Sequence, residues 1–318
     1  MKRRASHPPL HIARHALTRD IITRALLTTS LALCTLAACA PRSAARAQTA
    51  APPLSAAGER AAPPLSATFG AGELTLTGLS LAGLLTLSLF GDELLGPSAP
   101  SMGPPREGST DMRFSRWSSP RFDPSAQWLG GAPDLMGYAA PTLALTYYAG
   151  GALLSGLAGV GSARPHEAIA FSEGLSWAMF TTTLLKRLVG RERPYVVRAQ
   201  RGELSVDAVD MSPSERQLSF PSGHSTAIAA TSFFVAADAS DALVSGPLRG
   251  AHPVTRVLLG RVLPYLAAGG TSWLVMYSRI KDQRHWLSDT LTGAAIGALS
   301  GLLSYHIHFD ASGEPYAR

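Results

Sequence analysis

Cysteine is almost absent. The only two, Cys34 and Cys39, lie inside one N-terminal apolar run, so the rest of the chain has no disulfide framework and no thiolate metal site. Charge is sparse as well: Asp, Glu, Lys and Arg make up 16% of the 318 residues, against roughly 25% in a typical soluble chain. With 46% hydrophobic residues and a mean hydropathy of +0.12, this excludes a disordered chain and a coiled coil built on charged heptads. Convincing strand alternation and internal repeats are also missing. What remains is a membrane protein with short spans, or a soluble helical protein with an unusually apolar surface. The formal net charge is +6. Much of that excess lies in the first residues and around one later motif, so no general basic face, and no nucleic-acid partner, follows from it.

The N-terminus reads as an address. Lys2, Arg3, Arg4, Arg14, Arg19 and Arg24 face one acid, Asp20, and the run Ala25–Ala40 is apolar and uncharged. A basic stretch before a short apolar one is the grammar of an export signal. Leu36-Ala37-Ala38-Cys39 resembles a lipobox, which would leave Cys39 as a lipidated N-terminus, whereas Ala45-Arg46-Ala47 fits the small-x-small site of an ordinary signal peptidase. The bland alternative is an uncleaved first membrane helix. The expected organisation is an export signal over 1–39, an Ala/Pro/Ser-rich linker over 40–70 and a poorly assigned helix and irregular segment over 71–133. A catalytic helical domain over 134–308 and a tail over 309–318 follow. The irregular stretch Gly96–Pro133 holds Trp117 and Trp128.

Helical patterning between Gly/Pro breaks predicts helices over 73–90, 135–159, 166–189, 222–240, 257–278 and 286–307. The fold class is therefore all-α, a bundle of about six helices, membrane-embedded or membrane-associated. A bilayer span needs about 20 apolar residues. Leu135–Ala163 is uncharged and long enough, and Leu74–Gly91 barely so. The helix 166–189 carries Glu167 and Glu173, and 222–240 carries His224 and Asp238. Those interruptions fit a buried core helix as well as a span.

Three motifs carry chemistry. In the first, Lys186 through Pro194 (KRLVGRERP), Lys186 and Arg193 are seven apart, two helical turns. Both face one side if the helix persists through Gly190. Two cations on one face suit a doubly charged phosphate, although such a run also reads as the basic flank of a span. The second is Phe220-Pro221-Ser222-Gly223-His224-Ser225. Ser222 opens an apolar helix, Gly223 lets backbone approach a ligand, and His224 can donate a proton near neutral pH. A plain helix cap with a satisfied histidine fits the same residues. The third runs from Ser278 and Arg279 to His285 and Asp289. An i, i+4 spacing makes His285 and Asp289 neighbours on a helix. A carboxylate can then fix the ring tautomer and leave the other nitrogen as a nucleophile. Alone, a surface His–Asp pair is worth little.

Together, Lys186, Arg193 and Pro194, then Pro221, Ser222, Gly223 and His224, then Ser278, Arg279, His285 and Asp289 resemble the three-part signature of the type 2 phosphatidic acid phosphatase and vanadium haloperoxidase superfamily. The resemblance spans Lys186–Asp289, the helices from about 135 to 308 extend it, and it does not cover the first 130 residues. It implies that His285 attacks phosphorus, that Asp289 orients it, and that His224 protonates the leaving oxygen. Lys186, Arg193, Arg279, Ser222 and Gly223 would bind the phosphoryl oxygens. It implies no metal and no organic cofactor; vanadate enters as an inhibitor, or as the cofactor of a haloperoxidase.

The residues agree with that chemistry on their own terms. Phosphoryl transfer needs neutralised charge, a nucleophile and a proton donor, and the motifs supply all three without a carboxylate cluster for magnesium. The expected activity is a metal-independent phosphatase of the cell envelope acting on a phosphorylated lipid or isoprenoid diphosphate. The alternatives are a soluble periplasmic acid phosphatase on small phosphomonoesters, a vanadate-dependent haloperoxidase, and a non-enzymatic lipid-binding membrane protein. Arg187, Arg191 and Arg284 read as surface or membrane-facing cations, with an extra phosphate contact left open. His7, His11 and His15 lie in the signal, and His166, His252, His306 and His308 have no motif partner. No protein partner is implied.

Overall fold

The computed structural model describes residue 65 and residues 69–95, 102–120, 128–158, 163–203 and 216–316. All belong to a compact unit, Glu59–Arg318. The export signal with Cys39, and most of the linker, lie outside the described residues. The elements are α1 (Ala71–Leu95), α2 (Thr110–Ser118), α3 (Ala132–Ala158), α4 (Arg164–Val189), α5 (Pro194–Gln200), α6 (Gly223–Ser245), α7 (Leu263–Lys281) and α8 (Leu287–His308). Among the described residues there is no strand, only an isolated bridge between Phe309 and Pro315.

All six predicted helices occur. The last-but-one begins earlier than expected, because a turn at Pro253–Thr255 and a π-helical stretch, Arg256–Val262, run directly into α7. Two short helices escape the pattern. The first, α2, is polar and starts where Ser109 accepts a hydrogen bond from the Met112 N–H at 3.3 Å, an ordinary N-cap. The second, α5, has Pro194 at its first position. A proline read as the end of one helix is here the start of another, as its fixed φ and missing N–H allow.

At the centre lies α6, packed against α3, α4, α7 and α8. Its contact with α8 is unusually close. A Cβ on Gly297 would sit 2.2 Å from the Thr226 carbonyl oxygen. On Gly293 it would sit 2.4 Å from that of Ser222, and on Gly301 2.4 Å from that of Ala230. Glycine every fourth residue clears one stripe of α8, so the two backbones touch. The N-termini of α6 and α8 consequently stand side by side, with the C-termini of α4 and α7 beside them. Further along the bundle Tyr148, Phe171, Phe234 and Tyr305 interlock with ring centroids 5.4–5.7 Å apart.

Large apolar side chains are exposed on several helices. Leu79 and Leu94 on α1, Leu143 and Leu157 on α3, and Leu258 and Leu266 near α7 are all largely exposed. Two described helices are long and apolar enough to cross a membrane: Ala71–Gly91 and Gly223–Ser245, the second more than half buried within the bundle. The stretch Leu135–Ala163, expected to qualify, does not provide a third; Pro141, tyrosines and threonines dilute α3.

Gly297→Ala tests the packing. The added methyl gains up to about 1 kcal/mol of helix propensity, but overpacking against backbone costs about 1–3 kcal/mol or more, so the clash wins. The expected result is a thermal midpoint several degrees lower by circular dichroism. Gly150→Ala, where a Cβ meets nothing within 4 Å, should be neutral or stabilising.

Candidate active site

The first motif does not work as a continuous helix. Gly190, at φ 59°, closes α4 in the left-handed conformation and donates its N–H to the Lys186 carbonyl. Arg193 follows the break as the N-cap of α5, its own N–H donating to the Arg216 carbonyl at 2.9 Å. A turn, not helical periodicity, thus brings Arg193 back toward Lys186. The Lys186 ammonium donates to the Leu218 carbonyl at 2.9 Å, which ties it to the approach of the second motif.

In that motif Ser222 caps α6. Its Oγ accepts from the Ser225 N–H at 3.4 Å and from the Ser225 hydroxyl at 3.0 Å, so it is engaged locally. The Ser222 N–H donates to the Asp289 carbonyl at 3.0 Å, joining the starts of α6 and α8. The side-chain atoms nearest a Cβ on Gly223 would be Lys186 Cε at 3.8 Å and Met179 Cε at 4.0 Å. Protein packing alone does not require glycine there. His224 lies edge-on to Tyr138, with centroids 4.4 Å apart. Gly137 makes that approach available, since a Cβ there would meet His224 Cδ2 at 2.7 Å.

In the third motif Arg279 ends α7, nearly buried, and forms an ion pair with Asp134 in the first turn of α3. The Ser278 hydroxyl also donates to Asp134, at 3.3 Å. His285 precedes α8 instead of lying on it. Its Nδ1–H donates to the Ser219 carbonyl at 2.6 Å. A carbonyl can only accept, so this bond assigns the proton to Nδ1 and leaves the lone pair on Nε2. Asp289 Oδ2 stands 3.9 Å from Nδ1, beyond hydrogen-bonding range. It reaches the ring at one remove: the Ser219 hydroxyl donates to it at 2.5 Å and the Trp286 N–H at 3.0 Å.

Arg191 corrects the expectation of a surface cation. It is 5% exposed. One arm donates to Asp289 at 2.5 Å and to Ser288 Oγ at 2.7 Å, and the other donates to Asp111 at 2.8 Å. Asp111 also accepts the Ser288 N–H at 2.9 Å and the Ser288 hydroxyl at 2.6 Å. Breaking such a buried pair costs about 3–5 kcal/mol. Arg284 is half-buried over the Tyr195 ring, at 5.4 Å, and Arg187 is half-buried near Gly91. Two histidines left without a role are in contact elsewhere: His308 faces Glu173 at 2.7 Å, and His166 stacks on Phe69.

The expected site residues therefore converge on one pole of the bundle. Burial, and after it the positive charges of Lys186, Arg193 and Arg279 with His224, hold the His285 imidazole well below the ordinary histidine range. A neutral ring with its lone pair on Nε2 is a nucleophile, and several cations around it make a cradle for an anion. Among the described residues no group of His, Cys, Asp and Glu has the makings of a metal site. Asp111, Arg191 and Ser219 are neighbours of the candidate site whose place there sequence reasoning missed. Two are generic polar residues, and the third is an arginine in an unmatched motif position.

Compared with known proteins, residues 143–312 match the family model described as the PAP2 superfamily. No curated protein and no solved structure matches the chain. The matched region holds all three motifs but not Asp111 or Asp134, which come from the segment before it.

If Gly223 is there to let a ligand approach, Gly223→Ala should leave the thermal midpoint nearly unchanged while weakening binding of inorganic phosphate or vanadate about tenfold or more. Titration calorimetry reads the second effect. A thermal midpoint lowered by several degrees with unchanged anion affinity would assign the glycine to packing.

Proposed function

The chain belongs to the PAP2 superfamily, whose activity is in general that of a phosphatase, and we propose that this protein hydrolyses a phosphomonoester or diphosphate through a phosphohistidine, without a metal. The observation that carries this reading is the neutral, Nδ1-protonated His285 beside Lys186, Arg193 and Arg279. Nε2 attacks phosphorus and forms a P–N bond as the P–O bond to the leaving group breaks. His224 gives its proton to the departing oxygen. Water then attacks phosphorus, its proton passes to His224, and the P–N bond breaks to release phosphate. The cations and the Gly223 N–H neutralise charge on the equatorial oxygens throughout.

A phosphorylated lipid or isoprenoid diphosphate is the proposed substrate class. The exposed leucines of α1, α3 and the α7 region, and the two apolar helices, support it, since such a surface favours a lipid environment. Export, with the site on the outer face of the inner membrane, is the proposed location, supported by the basic and apolar N-terminal pattern. An alkaline phosphatase fusion at residue 60 should be active; cytoplasmic retention of the fusion would overturn export.

The catalytic roles separate under trapping of radioactive aryl phosphate. His285→Ala should take no acid-labile label. His224→Ala should still be labelled, because an aryl leaving group needs little protonation, but should lose about 10²–10⁴-fold on alkyl phosphates. Wild-type activity should survive EDTA. Label on His285→Ala at the wild-type level, or a strict magnesium requirement, would overturn the mechanism. A panel of phosphatidate, isoprenoid diphosphate and a soluble aryl phosphate then assigns the substrate class.

A further inference from the structure

The matched family region begins at residue 143, yet a carboxylate from outside it reaches the back of the site. We propose that Asp111, acting through Arg191, is a positioning residue for the nucleophile: it balances the Arg191 charge so that Asp289 and Ser219 hold the His285 ring with its lone pair on Nε2. The proposal rests on the phosphohistidine reading for its catalytic consequence, but not for the arrangement itself.

The path is continuous. Asp111 accepts from Arg191 at 2.8 Å, and Arg191 donates to Asp289 at 2.5 Å. Asp289 accepts the Ser219 hydroxyl at 2.5 Å, and the Ser219 carbonyl accepts from His285 Nδ1 at 2.6 Å. Ser219 is further held by its N–H, which donates to the Arg191 carbonyl at 3.0 Å. Asp111 also pins the first turn of α8 by accepting both donors of Ser288.

Holding α2 in place does not fall to Asp111. Ser115 Oγ donates to Gln283 at 2.6 Å, Gln283 donates back to the Ser115 carbonyl at 3.1 Å, and Arg198 donates to the Ser119 carbonyl at 2.9 Å. An isosteric change at Asp111 therefore removes charge without detaching the helix.

The electrostatic sign follows. His285 is faced by Lys186 from α4, Arg193 before α5, His224 from α6, Arg279 from α7 and Asp289 from α8. Arg191 sits between two carboxylates. Remove the Asp111 charge, and the full positive charge of Arg191 bears on Asp289 alone. The field at His285 becomes more positive, its protonation becomes harder, and the cationic phosphoimidazole is less stabilised. Remove Arg191 as well, and Asp289 acts on His285 without its cation, which reverses the sign.

The experiment is a nitrogen-15 histidine titration of the full chain, with single-turnover phosphorylation by aryl phosphate. Asp111→Asn should lower the His285 titration midpoint. It should slow phosphorylation per labelled site about tenfold, in the range of coupled neighbours, with KM within about twofold. The double variant Asp111→Asn, Arg191→Gln, which removes one charge of each sign, should raise the midpoint above wild type. It also serves if the single variant does not fold. A midpoint unchanged in Asp111→Asn, or one not raised in the double variant, overturns the proposal. Should the wild type form no phosphoenzyme, the catalytic reading falls, and the midpoints still decide whether Asp111 acts on His285.

Discussion

The Asp289 carboxylate ties the three motif segments together. It is fully buried, and every contact it makes belongs to a different part of the site. Its side chain takes the Arg191 guanidinium from the first motif, the Ser219 hydroxyl from the approach to the second, and the Trp286 N–H from the third. Its main-chain carbonyl takes the Ser222 N–H at the start of α6. A buried carboxylate with too few donors would be expensive. This one is satisfied only when all three segments are in register, so its own desolvation enforces the geometry of the site. The glycine stripe of α8 makes that register reachable, because without it α6 could not come near enough for the Ser222 bond.

A cradle of cations raises the opposite problem. Lys186, Arg193 and Arg279 lie close enough to His285 to oppose its protonation, and like charges in a poorly solvated pocket repel one another. The fold meets part of this locally. The Leu218 carbonyl takes the Lys186 ammonium, and Asp134 takes Arg279. These contacts also hold the side chains in place, so the cradle is preorganised before any anion arrives. A consequence is that the His285 ring is kept neutral by its burial and by the same charges that line the cradle. His285 needs no neighbouring base to deprotonate it.

Much of this was legible in the sequence, for identifiable reasons. Helices such as α4, α6 and α8 are long, and Gly190 and Ser222 mark two of their ends, so their pattern is strong. The residues Lys186, Arg193, His224, Arg279 and His285 were readable because the three motifs resemble a family signature in residue type and spacing together. What stayed hidden depends on tertiary contacts. Nothing in the local sequence marks Asp111 as lying against Ser288 and Arg191, which are 177 and 80 residues away. The spacing of His285 and Asp289 suggested a direct pair on one helix. The structure puts the helix start between them at Trp286, and the Ser219 carbonyl takes the bond instead.

Glycine shows why a residue type must be read with its surroundings. At Gly297 the absent methyl would collide with the Thr226 backbone at 2.2 Å, so glycine there serves the fold. At Gly137 it makes room for the His224 ring, and so serves the placement of that ring. At Gly223 the nearest atoms stand at ordinary contact distance, 3.8 and 4.0 Å, and one belongs to Lys186. A methyl group would fit against the protein there. That position lies beside the Lys186 side chain and the first N–H groups of α6, where the helix end itself favours negative charge. Packing therefore accounts for the first two glycines and not for the third.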